Sequence, residues 1–277
     1  MKLLRGKPVA EELLEAVKKL STTVYVHLRI IQVGDNPAST VYVGQKIRTA
    51  ATVGINTSVE HLPADTTLDD MFSVIAKANN DKEITGIIIQ LPLPEHLMPY
   101  KQLLLDAIAP EFDVDGLSSF NQGRLMTGLL HDTLLPATPS GIMRLLDYYD
   151  IELLGKQATV VGRSNVVGKP MAHLLLGRGA TVSVCHSQTV NLKDYTSKAD
   201  ILIVATGIPR LVTADMIKSN AVVLDVGMSR INDKWVGDSV GKELNDIVSA
   251  RTPVPGGVGP LTVASLMWNC VEAVSED

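Results

Sequence analysis

Apolar residues in the first half of the chain alternate between helical spacing and short β-branched runs, a pattern that predicts βα units on a parallel sheet. Pro8 to Leu20 reads as an amphipathic helix and Val24 to Val33 as a strand. Gly34-Asp35-Asn36-Pro37 is a turn, because Pro37 cannot continue a sheet, and a helix from Ala38 to Val53 follows. Further along, Thr57 to Leu62 is expected as a strand, Leu68 to Asn79 as a helix, and Gly86 to Gln90 as a fully buried strand stopped by Pro92 and Pro94. Tyr100 to Ile108 is weakly helical. Periodicity is then lost from Phe112 to Ala137, which reads as an interdomain region.

The βα rhythm resumes with a helix over Gly141 to Tyr149, a strand over Ala158 to Gly162, a helix over Val167 to Arg178 and a strand over Thr181 to Cys185. Asp200 to Thr206 and Ala221 to Val226 are expected as buried strands with a short helix, Thr213 to Ser219, between them, and Leu261 to Val274 as the last helix. The fold class that results is α/β, with two α/β domains flanking a cleft. The first spans residues 1–118, joined by the C-terminal helix 261–277; the second, residues 119–260, is Rossmann-like and dinucleotide-binding.

Composition narrows the class of partner. The 277 residues are 45% hydrophobic, 20% charged and 4% aromatic, which suits a folded chain rather than a disordered one. No apolar run approaches the ~20 residues of a membrane span, so no membrane is expected as a partner. The basic start, Met1 to Lys7, has no apolar stretch behind it, and a cytoplasmic address is expected. Cys185 and Cys270 stand alone without C-x-x-C spacing; no metal site is expected, and both read as buried bystanders. A net charge of −5 argues against nucleic acid and for a small-molecule substrate.

The turn Val161-Gly162-Arg163-Ser164 through Gly168-Lys169-Pro170 lies between a strand and a helix, where dinucleotide folds set phosphates against helix N–H groups. It is not a Walker A loop, since five residues separate Gly162 from Gly168 and Pro170 replaces the Ser or Thr. It is not a strict G-x-G-x-x-G loop either, since Ser164 occupies the second glycine position. The next strand ends in Cys185-His186-Ser187 without the acid that binds an NAD ribose. Arg163 and Ser187 instead suit a 2′-phosphate, so a dinucleotide bound here is expected to be NADP.

Three polar features of the first domain, and one Gly/Pro stretch at the end of the second, stand out. Tyr42 and Lys46, at i and i+4, share one helix face with Ser39. Gln90 ends an apolar strand, the position that overlooks a ligand crevice. Asp113-Val114-Asp115-Gly116 lies in irregular chain, and Pro253 through Pro260 combines three Gly with three Pro, which exposes bare peptide planes to a ligand. From spacing alone Lys46 and Asp115 could equally be a surface lysine and an acidic turn.

In order along the chain, Ser39 through Tyr42 to Lys46, Gln90-Leu91-Pro92-Leu93-Pro94, Asp113 to Gly116, Thr138-Pro139-Ser140-Gly141, Gly162 through Pro170, Cys185-His186-Ser187 and Pro253 through Pro260 resemble the bifunctional methylenetetrahydrofolate dehydrogenase/methenyltetrahydrofolate cyclohydrolase family. The resemblance implies oxidation of 5,10-methylenetetrahydrofolate by NADP⁺ and hydrolysis of the methenyl product to 10-formyltetrahydrofolate. It implies Lys46, Tyr42, Gln90 and Asp115 as catalytic groups, with Tyr42 stacking on the substrate, Gln90 partnering the lysine and Asp115 binding the pterin. Ser39, Tyr42, Pro255, Gly256 and Gly257 become substrate contacts, and Gly162, Arg163, Ser164, Ser187 and, by main chain, Met228 become cofactor contacts. The first domain becomes the folate-binding one. The chain departs from the family pattern at Ala137, Ser118-Ser119, Met228-Ser229 and Ser239-Val240, none of which removes a proposed catalytic group.

Hydride transfer asks the protein chiefly for orientation. Ring opening of the methenyl cation asks for a base or a proton donor, and Lys46 has two routes to that role. As a base it must be neutral, a state that an unperturbed lysine reaches in about one molecule in 2,500 at pH 7; a cationic substrate and burial push toward it. As an ammonium held by Gln90 it stabilises the developing oxygen and donates a proton. A lysine that cycles between both states is expected. An NADP-dependent dehydrogenase for another substrate and a dinucleotide-sensing regulator remain alternatives on this fold. A homodimer is also expected, paired along the apolar run Ala221 to Val226.

Overall fold

The structure, a computed structural model, describes residues 1–131 and 133–275. β1 (Lys2–Leu3) and α1 (Gly6–Leu20) open the chain, followed by β2 (His27–Val33), α2 (Pro37–Thr52), β3 (Asn56–Leu62), α3 (Leu68–Asn79) and β4 (Gly86–Ile89). Next come α4 (Lys101–Asp106), α5 (Ser119–Thr127) and α6 (Ala137–Tyr148). The later part holds β5 (Gln157–Val161), α7 (Gly168–Gly177), β6 (Thr181–Cys185), α8 (Lys193–Thr196), β7 (Ile201–Val204) and β8 (Val222–Asp225). A short hairpin, β9 (Ser229–Ile231) and β10 (Lys234–Val236), then β11 (Ala250–Arg251) and α9 (Gly259–Glu272), complete it.

The chain forms two units, the α/β fold class that the periodicity predicts. One comprises residues 11–137 and 263–277 and is built on a three-stranded parallel sheet in the order β3-β2-β4. Every residue of β4 is buried, so its Ile-rich run needs no polar face. Val43 and Ala50 of α2 and Leu266, Met267 and Cys270 of α9 close over Leu28, Ile30 and Ile88. Asn36 starts α2 by accepting from Ala38 and Ser39 N–H groups, with Pro37 at the first helical position, where its missing N–H costs nothing.

The other unit comprises residues 1–10 and 138–262, on a six-stranded sheet in the order β1-β11-β8-β7-β5-β6. Its strands pair in parallel, and β7 and β8 are buried along their whole length. The chain turns from β5 to β6 on one side and then crosses to β7 on the other. That reversal is the switch point at which open α/β sheets bind ligands.

The domain limits differ from the sequence expectation at both ends. Residues 119–137 belong with the first unit, because the buried Asp113 carboxylate accepts from Leu117 and Ser118 N–H and from Asn121 Nδ2, tying α5 to it. Residues 1–10 belong with the second, because β1 adds a strand beside β11. α5 itself lies where no helix is predicted. Its Phe120 and Met126 are exposed, which erases the apolar period, while Ser118 Oγ and Gly128 (φ +76°) cap its ends. The expected pairing of Ala221 to Val226 across a two-fold axis is also corrected: β8 lies inside the sheet with β7 and β11 on its two sides, so its edges are taken. Among the described residues no helix is long and apolar enough to cross a membrane, and no group of three or more His, Cys, Asp or Glu side chains is placed to hold a metal ion.

Candidate active site

Lys46 projects from α2 toward the end of β4, where its Nζ donates to Gln90 Oε1 at 3.0 Å. Gln90 is 8% exposed, and its own Nε2 donates to Leu91 O at 2.7 Å. With the amide nitrogen so occupied, the oxygen is the atom left to face the lysine, as an acceptor. Burial pulls the Lys46 ammonium below the usual lysine range; the nearby Asp115, and after it Cys270, act in the opposite direction. One turn earlier on α2, Tyr42 leaves 39% of its surface open, and partial burial raises its phenol above the ordinary value. Ser39, buried, lies one turn before Tyr42 with its hydroxyl 3.5 Å from Leu91 O. Ser39, Tyr42, Lys46, Gln90 and Asp115 therefore all belong to one unit.

The two acids of Asp113-Val114-Asp115-Gly116 have different fates. Asp113 is 1% exposed, and its oxygens are consumed by the turn it holds together. Asp115 is half-buried and its charge reaches Lys46. Spacing places both in one loop; only the folded turn separates the structural carboxylate from the one that acts on the lysine.

In the other unit, Gly162 follows β5 with φ +133°, a region that L side chains rarely adopt. A Cβ on Gly162 would land on Ala205 O after β7, and one on Gly168 would land on Gly162 O. These two glycines let the strand end, the crossing loop and the start of α7 approach as bare backbone. Ser164 Oγ accepts from Val167 N–H at 3.2 Å, which leaves its proton to donate. Arg163, exposed, donates to Gln188 Oε1 at 3.1 Å, across from Ser187 at the end of β6. No carboxylate occupies positions 185 to 188. The bare glycine cradle, the helix start and a guanidinium beside a serine fit a phosphorylated dinucleotide.

Models of two domains match the chain: tetrahydrofolate dehydrogenase/cyclohydrolase, catalytic domain, over residues 4–115, and the NAD(P)-binding domain of the same family over residues 136–277. The chain belongs to the tetrahydrofolate dehydrogenase/cyclohydrolase family. The bifunctional protein FolD of Sulfurihydrogenibium is 46% identical, covering 98% of this chain and 97% of its own. The solved bifunctional FolD enzyme of Campylobacter jejuni is 43% identical with a TM-score of 0.95, covering 99% of this chain and 98% of that one. The Trypanosoma brucei methylenetetrahydrofolate dehydrogenase-cyclohydrolase, solved as a complex with NADP cofactor and inhibitor, is 34% identical with a TM-score of 0.89 over 97% of this chain and 94% of that one.

In this family member Met228 follows β8 and is 38% exposed. Pro255, Gly256 and Gly257 belong to the dinucleotide unit rather than the Lys46 unit, with Gly256 O accepting from Gly6 N–H at 3.0 Å. Sequence reasoning missed a buried acid pair beside Met228. Asp225 accepts from Gly227, Asp238 and Ser239 N–H and from Ser239 Oγ, while Asp238 accepts from Thr206 and Gly207 N–H. Desolvation is the main influence raising the Asp225 carboxyl above the ordinary range. The signal available was two acids, Asp225 and Asp238, each within two positions of a glycine. Asn269 was also missed, as a lone amide in an apolar helix run.

Proposed function

We infer that the chain oxidises 5,10-methylenetetrahydrofolate to the 5,10-methenyl cation with NADP⁺ and hydrolyses that cation to 10-formyltetrahydrofolate. The observation that carries this reading is the half-buried Lys46 amine, held by Gln90 and biased by Asp115. Bound NADP⁺ supplies the hydride acceptor. Main chain at Gly162 and near Met228 and the side chain of Ser164 hold the dinucleotide, and Arg163 with Ser187 recognises its 2′-phosphate. The carboxylate of Asp115 accepts two N–H bonds from the aminopyrimidine edge of the pterin. Tyr42 stacks on the substrate. Ser39 completes the folate contacts of the Lys46 unit in the same reading.

Hydrolysis begins when water adds to the methenyl carbon and loses a proton. Because burial lowers the cost of the neutral amine, Lys46 takes that proton; the resulting ammonium, donating to Gln90 Oε1, returns it to the ring nitrogen as the C–N bond breaks, and the hydroxyl on the carbon loses its own proton to water as the formyl C=O forms. The test is direct: purified protein with methylenetetrahydrofolate and either NADP⁺ or NAD⁺, following growth and decay of methenyltetrahydrofolate absorbance. Faster growth with NADP⁺, followed by enzyme-dependent decay, is the expected result. Dinucleotide binding without turnover of any folate would overturn the reading in favour of a sensing role.

A homodimer and a cytoplasmic address belong to this reading. β6 is an edge of the six-stranded sheet, and Val184 on it, with Val190 and Tyr195 nearby in sequence, is exposed, which supports a second copy packing along this edge. Val184→Lys is expected to shift sedimentation toward the monomer. Cys185 and Cys270 are both buried free thiols, the state that a reducing compartment keeps.

A further inference from the structure

Asn269 stands in the apolar run Leu266-Met267-Trp268-Asn269-Cys270-Val271 of α9 and is 1% exposed. Its Nδ2 donates to two main-chain carbonyls, Val114 O and Leu135 O, each at 2.8 Å. Both partners are acceptors, so the nitrogen must face them and the orientation of the amide is set. The Val114 carbonyl belongs to the peptide that carries the nitrogen of Asp115. That peptide plane is therefore held from α9 on one side. On the other, Asp113 holds the far end of the same turn through Leu117, Ser118 and Asn121, and its backbone pairs with Ile87 beside β4. Val114 itself is fully buried against Gly86, at a place that a Cβ would fill. Asp115 is thus the half-buried residue of a turn whose two flanks are tied down.

We propose that Asn269 is a positioning residue for the folate reaction: by holding the Val114 and Leu135 carbonyls it sets where the Asp115 carboxylate stands toward the substrate and toward Lys46. An apolar side chain would fill the same space in α9 but leave two buried carbonyls without a donor, and the turn would shift to find water. α9 also packs into the same core as α2, which carries Lys46: Cys270, the next residue, shares that core with Val43 and Ala50. The inference rests on the reading of Asp115 as the pterin contact, and the experiment separates the two.

The full-length enzyme is prepared as Asn269→Ala, the milder Asn269→Ser, Asp115→Asn, and the Asn269→Ala/Asp115→Asn double variant. For Asn269→Ala, the KM for methylenetetrahydrofolate should rise about tenfold or more, equivalent to ~1.4 kcal/mol, while the dehydrogenase kcat changes less than about threefold. The NADP⁺ dissociation constant, read by fluorescence titration, should be unchanged. The ionisation governing cyclohydrolase should move to lower pH, because an Asp115 carboxylate farther from Lys46 supports the ammonium less. The double variant should bind folate no worse than Asp115→Asn alone, which additive structural damage would not produce. A folded Asn269→Ala with wild-type folate KM and pH profile would overturn the proposal, and so would additivity in the double variant. Failure of both Asn269 variants to fold would overturn it as well, since the amide would then hold the domain rather than place the acid. If Asp115→Asn itself leaves folate binding unchanged, the underlying reading of Asp115 fails instead.

Discussion

The Lys46 ammonium donates to Gln90 Oε1 across 3.0 Å, and Gln90 can accept because its own nitrogen is committed to Leu91 O. The lysine sits on a helix and the glutamine at the end of a strand, so neither can move without disturbing the core behind it. The pair provides an amine whose proton has a defined place to point.

The first prediction concerns this pair. Lys46→Ala should abolish cyclohydrolase activity and retain measurable dehydrogenase activity, and Gln90→Ala should reduce cyclohydrolase by about 10²-fold, within the range for losing acid–base catalysis. The two rates are read separately, from methenyl absorbance growth with NADP⁺ and from decay of added methenyltetrahydrofolate. Equal loss of both activities in a folded Lys46→Ala protein would contradict separate roles.

Burial sets the second prediction. Since it lowers the Lys46 pKa, the cyclohydrolase rate should show an ionisation below the ordinary lysine range, with the neutral amine, and hence the base, gaining as pH rises through it. Asp115 favours the ammonium, so Asp115→Asn should move that ionisation lower still. Lys46→Arg should remove it, because a guanidinium does not deprotonate in this range. A profile with no ionisation below about pH 9 would exclude the lowered amine.

In the proposed reading, Arg163 and Ser187 set the choice of cofactor. Arg163→Ala should weaken NADP⁺ binding by roughly 10- to 150-fold, the equivalent of a charge-assisted hydrogen bond, and leave NAD⁺ binding nearly unchanged. Ser187→Asp should invert the preference, because a carboxylate repels the 2′-phosphate and accepts from a ribose hydroxyl. Both are measured as dissociation constants by titration calorimetry with the oxidised nucleotides, independent of turnover.

The acid pair at the ends of the dinucleotide sheet is tested through its glycines. A Cβ on Gly227 would land on the Asp238 carboxylate, and one on Gly237 on that of Asp225. Both acids are buried and held by several N–H donors, so neither can swing aside cheaply. Gly227→Ala and Gly237→Ala should each cost about 2–4 kcal/mol of stability, the range for overpacking against a buried polar network. Denaturant unfolding measures this, and Gly207→Ala tests strain alone, because Gly207 has φ +70° with open space around its Cβ position.

Long periodic elements were legible in the residues alone: the helix Leu68–Asn79 has the bounds that its apolar period predicts, and β4, β7 and β8 read as buried strands from their Ile, Leu and Val runs. α5 was not legible, because Phe120 and Met126 face outward, Leu125 alone of its large apolar residues is buried, and caps close its ends. β1 and β11, of two residues each, are too short to carry a period and exist only by pairing with strands far away in sequence.

What the residue order determined by itself was chemistry that travels with local spacing: an amine and a phenol on one helix turn, a glutamine at a strand end, a glycine turn with Arg163, and a strand end without an acid. Only the tertiary structure decided which of two neighbouring acids is free to act. Asp113 and Asp115 have the same side chain two positions apart, but the fold spends one on Leu117, Ser118 and Asn121 and leaves the other within reach of Lys46. Their roles diverge because a carboxylate's function depends on which donors surround it and how much water it keeps. Those donors come from the turn after Asp113 and the first turn of α5, whose N–H groups converge on one carboxylate only when the chain has folded.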